Sequence, residues 1–593
     1  MCISIRWIAW ALPLVAACSA PVFTPPATPA PDLGKRLVAR HAVVSAAHPR
    51  ASEAGEEILR RGGNAVDAAV ATAFTVSVGE PQMSGMGGGG GMLIWLQDQQ
   101  RTEYIDFYPA TRPASFRGVA PADSTTRSDL RVVGIPGYVA GLLEAHQRFG
   151  KLSRREVLAP AIRLAEEGFP VNQILAQMIA QDSAKLVRYP ESRRILFPKG
   201  RALRPGDLLR NPELAATLRK VAEQGREGFY QGEVARAFVR ELNQGGHPAT
   251  IADLTAYTPQ WKRPLCGEYR GWTVLSAPPP QTGMQILQTL NLLEGYDLPA
   301  LGLPTQSARA FDVLTSALRV GLADSRHISD PNWTTVPATG VISDGFAGQR
   351  RRAVGTGKVV EKVEPGDPAA FEQTPLNPAC QRYEPYGSAR ATHAVESTSL
   401  APGVDSSPRG GETTHLSVVD PQGNAVALTQ TNSSTFGVGN WVAGFFLNDS
   451  GIDFSRPSSA SQAQLRGRHP YMIRKSTISP TIVLKNGRVA MVVGAPGGGR
   501  IPTEIVQNMV YVLDYGLDPL DALRMPRIFP SANGRQVQLE NGFDAQLLGQ
   551  VRAMGYEPTS ESFGYARLYM IARREGRWIG VADPRHNGAV RGY

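Results

Sequence analysis

GETTHLSVVDPQGNAVALTQTNSSTFG, residues 411–437, decides how this chain is read. The stretch holds two alternating runs rich in β-branched and apolar residues. That composition predicts two strands joined by a turn. A hydroxyl residue, Thr413, stands at the start of the first strand. Hydroxyls are poor nucleophiles until a base removes the proton. No GxSxG elbow occurs in the chain, and no histidine completes a triad by local motif. A threonine at a new N-terminus needs no such partner, because its own α-amine titrates at about 7.7–8.0, where a general base works best. Its β-branch also restricts χ1 and so holds Oγ in place. Such an amine exists only if the bond after Glu412 breaks, for instance by attack of the Thr413 hydroxyl on the Glu412 carbonyl. A plain edge strand with threonine at alternating positions fits the same spacing.

Downstream, SPTIVLKNGRVAMVVGAPGGGR (479–500) predicts a second hairpin. Asn486-Gly487 between two apolar runs is a strong two-residue turn signal. The hairpin ends in Gly497-Gly498-Gly499, ahead of a helix expected from about Pro502 to Tyr515. Upstream, residues 41–47 read as a short buried strand. Helical spacing follows in 51–61, closed by Gly62-Gly63, and Asn64 is placed to cap the next helix. Small residues dominate both helices, so close packing is expected. The glycines of MGGGGGM (86–92) precede a strand instead of opening a helix, which argues against a phosphate loop. They suit close backbone approach beside a site. Two amphipathic helices are expected within 134–168. Residues 350–411 are polar, rich in Pro and Gly, and read as a long exposed stretch leading to Glu412-Thr413.

The chain has 593 residues, 42% hydrophobic and 19% charged, with a formal charge of +10. The basic residues are scattered and not interleaved with aromatics, which excludes a nucleic-acid-binding stripe. Residues 1–18 differ from the body: Arg6 precedes an apolar run too short to span a bilayer. The run ends in LVAAC, similar to the lipobox of bacterial lipoproteins, which makes Cys18 a lipidation site. An ordinary secretory peptide cut nearby is the alternative. Ser19 favours outer-membrane sorting under that resemblance, and residues 19–34 form a Pro/Ala-rich tether. A bacterial periplasmic or envelope location follows, with the membrane reached only through the lipid anchor. Cys266 and Cys380 remain in the body. An oxidising compartment permits a bond between them, and the sequence leaves its formation open. No cluster has metal-ligand spacing, His41 and His48 included, and no cofactor is called for.

TTHLSVVDPQGNAVALTQT (413–431) closely resembles the start of the small subunit of γ-glutamyltransferases, also called γ-glutamyltranspeptidases. EILRRGGNAVDAAVATA, MGGGGGM, GIPGYVAGLLEAH, LAPAIRLAEEGFPV, ISPTIV, GAPGGGRI and ADPRHNGAVRGY extend the resemblance over nearly all of 38–593. These are N-terminal-nucleophile hydrolases, so the resemblance implies an α/β (α+β) fold, a four-layer αββα sandwich. It implies one precursor cut into a large subunit (35–412) and a small one (413–593) that together form one domain. Thr413 matches the nucleophile and Thr431 the threonine that supports it. Gly497 and Gly498 match the pair whose N–H groups form the oxyanion hole. Ser476 and Thr477 match two serines that hold the substrate α-carboxylate, and Asp453 matches the carboxylate that binds the α-amine.

Three positions depart from the family. Its carboxylate-clamping arginine follows a strand resembling YIDF (104–107), where this chain has Tyr108; Arg112 is the substitute offered by the local sequence. Ser433 stands for an asparagine that contacts the amine, with Asn432 adjacent. Ser450 stands for a Gln or Glu. The acylation machinery therefore looks intact and head-group recognition altered. The expected activity is transfer of the γ-glutamyl group of glutathione, or a related small-molecule amide, through an acyl-enzyme on Thr413 to water or an acceptor amine. The alternative is an acylase of the cephalosporin-acylase kind acting on another acyl group, such as glutaryl. A peptide-binding lipoprotein without catalysis is the third reading. Residues 455–470 match a substrate lid in position alone.

Overall fold

The computed structural model describes residues 34–111, 130–245, 249–375, 377–383, 385–386, 413–451, 471–560 and 565–593. Cys18, Arg112, Glu412, Asp453, residues 1–33 and the 455–470 stretch lie outside the described residues.

Two antiparallel seven-stranded sheets form the centre. One runs Ala589–Gly592, Val43–Ala46, Thr413–Val419, Ala425–Thr431, Gly89–Leu96, Arg101–Asp106 and Gln260–Lys262 in spatial order. The other runs Arg36–Ala39, Arg577–Ala582, Tyr569–Arg574, Arg488–Gly494, Thr481–Lys485, Trp272–Ser276 and Leu265–Tyr269. The period-two alternation of strands divides their side chains between two cores. Ile482, Leu484 and Val492 join the core shared with the first sheet, whereas Val483, Met491 and Val493 point to the helices beyond the second. The helix Ala65–Gly79 covers the first sheet, and Gly283–Leu293 with Ile501–Leu513 covers the second. The result is the αββα sandwich.

The local predictions hold where the chemistry is local. Asn64 caps Ala65–Gly79 with a full capping box, Asp67 answering at the third helical position. All fifteen residues of that helix are buried. It approaches the preceding helix, Pro49–Arg60, so closely that a Cβ on Gly55 would lie 2.3 Å from Thr72 Oγ1. Asn486 and Gly487 both have positive φ, 52° and 71°, as a two-residue hairpin of this twist requires. The following helix begins at Ile501 and ends at Leu513, slightly earlier at both ends than its pattern suggested.

One expectation needs correction. The described part of the 350–411 stretch is irregular but not wholly exposed. Val354, Val359, Val363 and Cys380 are buried. Val359 N–H donates to Met554 O at 2.9 Å, and Val363 N–H to Ala532 O at 3.0 Å. Polar composition hid the anchors because only every fourth or fifth residue is used. Cys380 is bonded to Cys266 with their Cα atoms 5.7 Å apart, across 114 residues of chain. In the chain-entropy account, closing a loop of that length limits the unfolded state by roughly 4–5 kcal/mol.

Candidate active site

The Thr413–Val419 strand is third of seven in its sheet, so it is not an edge strand. Val43–Ala46 pairs with Leu416–Val419 only, while Ala425–Thr431 pairs along the whole length. Thr413 therefore begins a buried central strand at an end that overhangs its shorter neighbour. Opposite it in register stands Thr431, and Thr413 Oγ1 donates to Thr431 Oγ1 at 3.3 Å.

Alternation sends successive side chains of this strand to opposite layers. His415 and Ser417 face the space between the sheets, as Thr413 does. His415 Nδ1 lies 2.8 Å from Thr429 Oγ1 and Nε2 3.1 Å from Ser417 Oγ. Ser417 Oγ donates to Tyr569 O at 2.9 Å, so it accepts from His415 Nε2–H, and Nδ1 accepts the threonine proton. Burial pushes this imidazole down to about 3. His415 is thus a neutral, doubly hydrogen-bonded core residue, and the histidine nearest Thr413 in sequence is not positioned as its base.

Thr414 faces the helix layer and donates to Glu80 Oε2 at 3.1 Å. Burial pushes the Glu80 carboxyl up to about 8, against the opposing pull of Arg567, the Thr414 hydroxyl and Lys35. A carboxyl raised in the folded state keeps its proton there while the unfolded chain releases it. Its contribution to stability is present in full below the unfolded value, about 4.3, and falls as pH rises toward 8. Glu80→Gln keeps the shape and the acceptor and removes the titration. The difference in thermal stability between variant and parent is expected to be near zero at pH 4. By pH 8 it should favour the variant, by on the order of a few kcal/mol. A difference that stays flat from pH 4 to pH 8 would show that Glu80 does not titrate in this way.

The glycine run wraps the end of the 413–431 hairpin. Gly89 pairs with Thr431. A Cβ on Gly88 would fall 2.1 Å from Thr431 O, and one on Gly89 would fall 2.2 Å from Phe107 O. Close backbone approach explains these glycines, as expected from their place before a strand. On the other sheet, Gly494 lies against the His415 ring, where a Cβ would come 2.2 Å from Cε1. Three residues on, Gly497 (φ 153°) and Gly498 (φ 55°) enter the turn that opens the Ile501–Leu513 helix. A helix N-terminus favours negative charge. Arg567 N–H donates to Pro496 O at 3.1 Å and pins this turn.

The departures from the family pattern cluster together. Ser433 holds a left-handed conformation, φ 79°, and its N–H donates to Thr431 Oγ1 at 2.8 Å. Ser433 Oγ lies 2.5 Å from Ser450 Oγ and 3.4 Å from Tyr108 Oη. Asn432 does not replace it: that side chain is fully buried and its Nδ2 donates to Pro81 O at 3.3 Å. Ser476 is buried and bridges to Gln281, its N–H donating to Pro280 O at 3.2 Å; Thr477 beside it is half-buried.

Sequence reading missed Arg474. Its Nη2 donates to Tyr108 Oη at 2.9 Å. The approach follows from an antiparallel bridge between Ala110 and Ile473, reinforced by Thr111 N–H to Met472 O at 3.0 Å. The available signal was a cation two residues before Ser476-Thr477.

The family described as Gamma-glutamyltranspeptidase matches residues 51–593. The chain is 31% identical over 569 residues to the glutathione hydrolase proenzyme of Bacillus subtilis (strain 168), covering 94% of this chain and 92% of that protein. It is 32% identical over 604 residues to the glutathione hydrolase proenzyme of Escherichia coli (strain K12), covering 98% and 97%. Its fold is similar to the crystal structure of cephalosporin acylase from Bacillus halodurans, with TM-score 0.79 and 27% identity over 96% of this chain and 99% of that one.

Proposed function

The chain belongs to the γ-glutamyltranspeptidase family, and we propose that it is a self-processing γ-glutamyl hydrolase or transferase with Thr413 as nucleophile. The observation that carries this reading is the pairing of Thr413 with Thr431, hydroxyl to hydroxyl, at the overhanging end of a buried central strand.

Processing begins when Thr413 Oγ attacks the Glu412 carbonyl carbon. The C–N bond breaks, the hydroxyl proton passes to the Thr413 nitrogen, and an ester remains. That break frees the α-amine; water then hydrolyses the ester, which restores the Thr413 hydroxyl, leaves a carboxylate on Glu412 and keeps the 35–412 and 413–593 pieces as one domain. In turnover that amine takes the Thr413 hydroxyl proton while Oγ attacks the γ-carbonyl of glutathione or a related amide. The Gly497 and Gly498 N–H groups receive the developing oxyanion, a contribution of roughly 3 kcal/mol per donor. The amine then protonates the leaving nitrogen, and the acyl group rests on Thr413 as an ester. Water or an acceptor amine releases it by the reverse sequence. Ser476, Thr477 and Asp453 are assigned the substrate head group.

A second reading rests on a specific observation. Tyr108, Ser433 and Ser450 form one hydroxyl cluster where the family pattern has an arginine, an asparagine and a Gln or Glu. That favours an acyl group other than γ-glutamyl. Hydrolysis of a γ-glutamyl anilide against a glutaryl anilide separates the two. We expect kcat/KM to favour γ-glutamyl, and a clear preference for glutaryl would transfer the assignment to the acylase reading. We also place the enzyme in the cell envelope, anchored at Cys18, on the strength of the lipobox-like 14–18 segment; recovery in the soluble fraction without detergent would refute the anchor.

A further inference from the structure

We propose that Arg474, which donates to Tyr108 Oη, supplies the guanidinium that reads a terminal carboxylate on the acyl group. The proposal rests on the reading of Thr413 as the acylated residue.

A continuous polar path joins the two. Thr413 Oγ1 donates to Thr431 Oγ1 at 3.3 Å, and Thr431 Oγ1 accepts Ser433 N–H at 2.8 Å. The Ser433 hydroxyl reaches Ser450 at 2.5 Å and Tyr108 Oη at 3.4 Å. Tyr108 Oη accepts Arg474 Nη2 at 2.9 Å, and the guanidinium carbon sits 5.6 Å from the centre of that ring. Three hydroxyls and one permanent cation are therefore joined to Thr413 through this path. A guanidinium offers five donors in a planar fork shaped for a carboxylate, and hydroxyls donate to the same anion. An acyl group ending in a carboxylate is matched by this set. One ending in a methyl would leave polar groups unpaired.

The neighbouring cation does not share the task. Lys475 turns the other way and donates through Nζ to Ser325 O at 2.6 Å and Ser325 Oγ at 3.1 Å. Arg474 is set beside Tyr108 by the Ala110–Ile473 bridge. A carboxylate is common to γ-glutamyl and glutaryl groups, so the assignment holds for either acyl class.

The test uses the processed full-length enzyme and two anilides, glutaryl and its ω-methyl ester, with a γ-glutamyl anilide beside them. Wild type is expected to favour the free acid over the ester. Arg474→Gln is expected to raise KM for both carboxylate-bearing anilides roughly ten- to a hundredfold, with kcat little changed and the ester unaffected. Arg474→Lys, which keeps the charge and loses the fork, should fall between. Equal loss on acid and ester, or no loss on the acid, would overturn the proposal. So would a wild-type acid-to-ester ratio near one, a measurement that needs no variant to fold. Failure of the underlying reading looks different: wild type would hydrolyse none of the three, or Thr413→Ala would still hydrolyse them.

Discussion

Thr413→Ala is expected to leave the chain uncut and inactive. On a denaturing gel the purified wild type should give two fragments, the smaller beginning at Thr413 by N-terminal sequencing. The alanine variant should give one. In the proposed mechanism a single hydroxyl serves twice, first against the Glu412 carbonyl and then against substrate. His415, the histidine nearest in sequence, does not substitute: it is neutral and bonded on both ring nitrogens. Loss of turnover should reach at least about 10⁴-fold, the scale on which removal of a covalent nucleophile is felt. Thr413→Ser keeps the hydroxyl and should still process, more slowly, because serine lacks the β-methyl that restricts χ1. The alanine variant should retain the fold, since Thr413 donates only one side-chain hydrogen bond in the uncut chain, to Thr431. A wild type that stays a single chain, or an alanine variant that cuts itself, would remove the nucleophile from Thr413.

Gly497→Ala is expected to have the next largest effect. The residue sits at φ 153°, and a Cβ there would fall 2.4 Å from Ala566 Cβ and 2.7 Å from Ala566 Cα. Backbone must move, because neither contact is the far end of a flexible side chain. The movement turns the N–H groups that are assigned the oxyanion. Loss of one such donor lowers kcat by about 10²–10³-fold. Both self-cleavage and hydrolysis of the anilide should slow, since each passes through a tetrahedral oxyanion. Gly498→Ala is the control. Its φ of 55° is left-handed, but a Cβ there meets no described atom within 4 Å. It should cost about 1–2 kcal/mol of stability and leave kcat within about tenfold. If Gly497→Ala processes and turns over like wild type, the oxyanion lies elsewhere.

How far the chain could be read in advance depended on the range of the interaction. The Asn64 cap, the Asn486-Gly487 turn and the two strands of the 413–431 hairpin are decided by residues within a few positions of each other, and they appear as expected. The glycines of 86–92 were legible for the same reason: a run with no side chains before a strand signals close approach, and Thr431 O and Phe107 O are the neighbours. The αββα layering followed from the resemblance, which the family match and the fold comparison bear out. The anchored valines of 350–363 were not legible, because isolated apolar residues in a polar stretch carry no period.

The sequence, read with the family resemblance, put forward the candidate groups: a threonine at the head of a strand, a second threonine eighteen residues later, and a paired glycine after a second hairpin. Two antiparallel strands joined by a short turn must set 413 against 431, so that contact is written in the local pattern. Tertiary structure alone decided that Arg474 stands beside Tyr108. Tyr108 and Arg474 are 366 residues apart, and they meet only because Ala110 pairs with Ile473. Nothing in the local sequence around either residue specifies that register. It is selected by the packing of the whole sandwich, and so the position of the guanidinium beside Tyr108 could be found only in the folded chain.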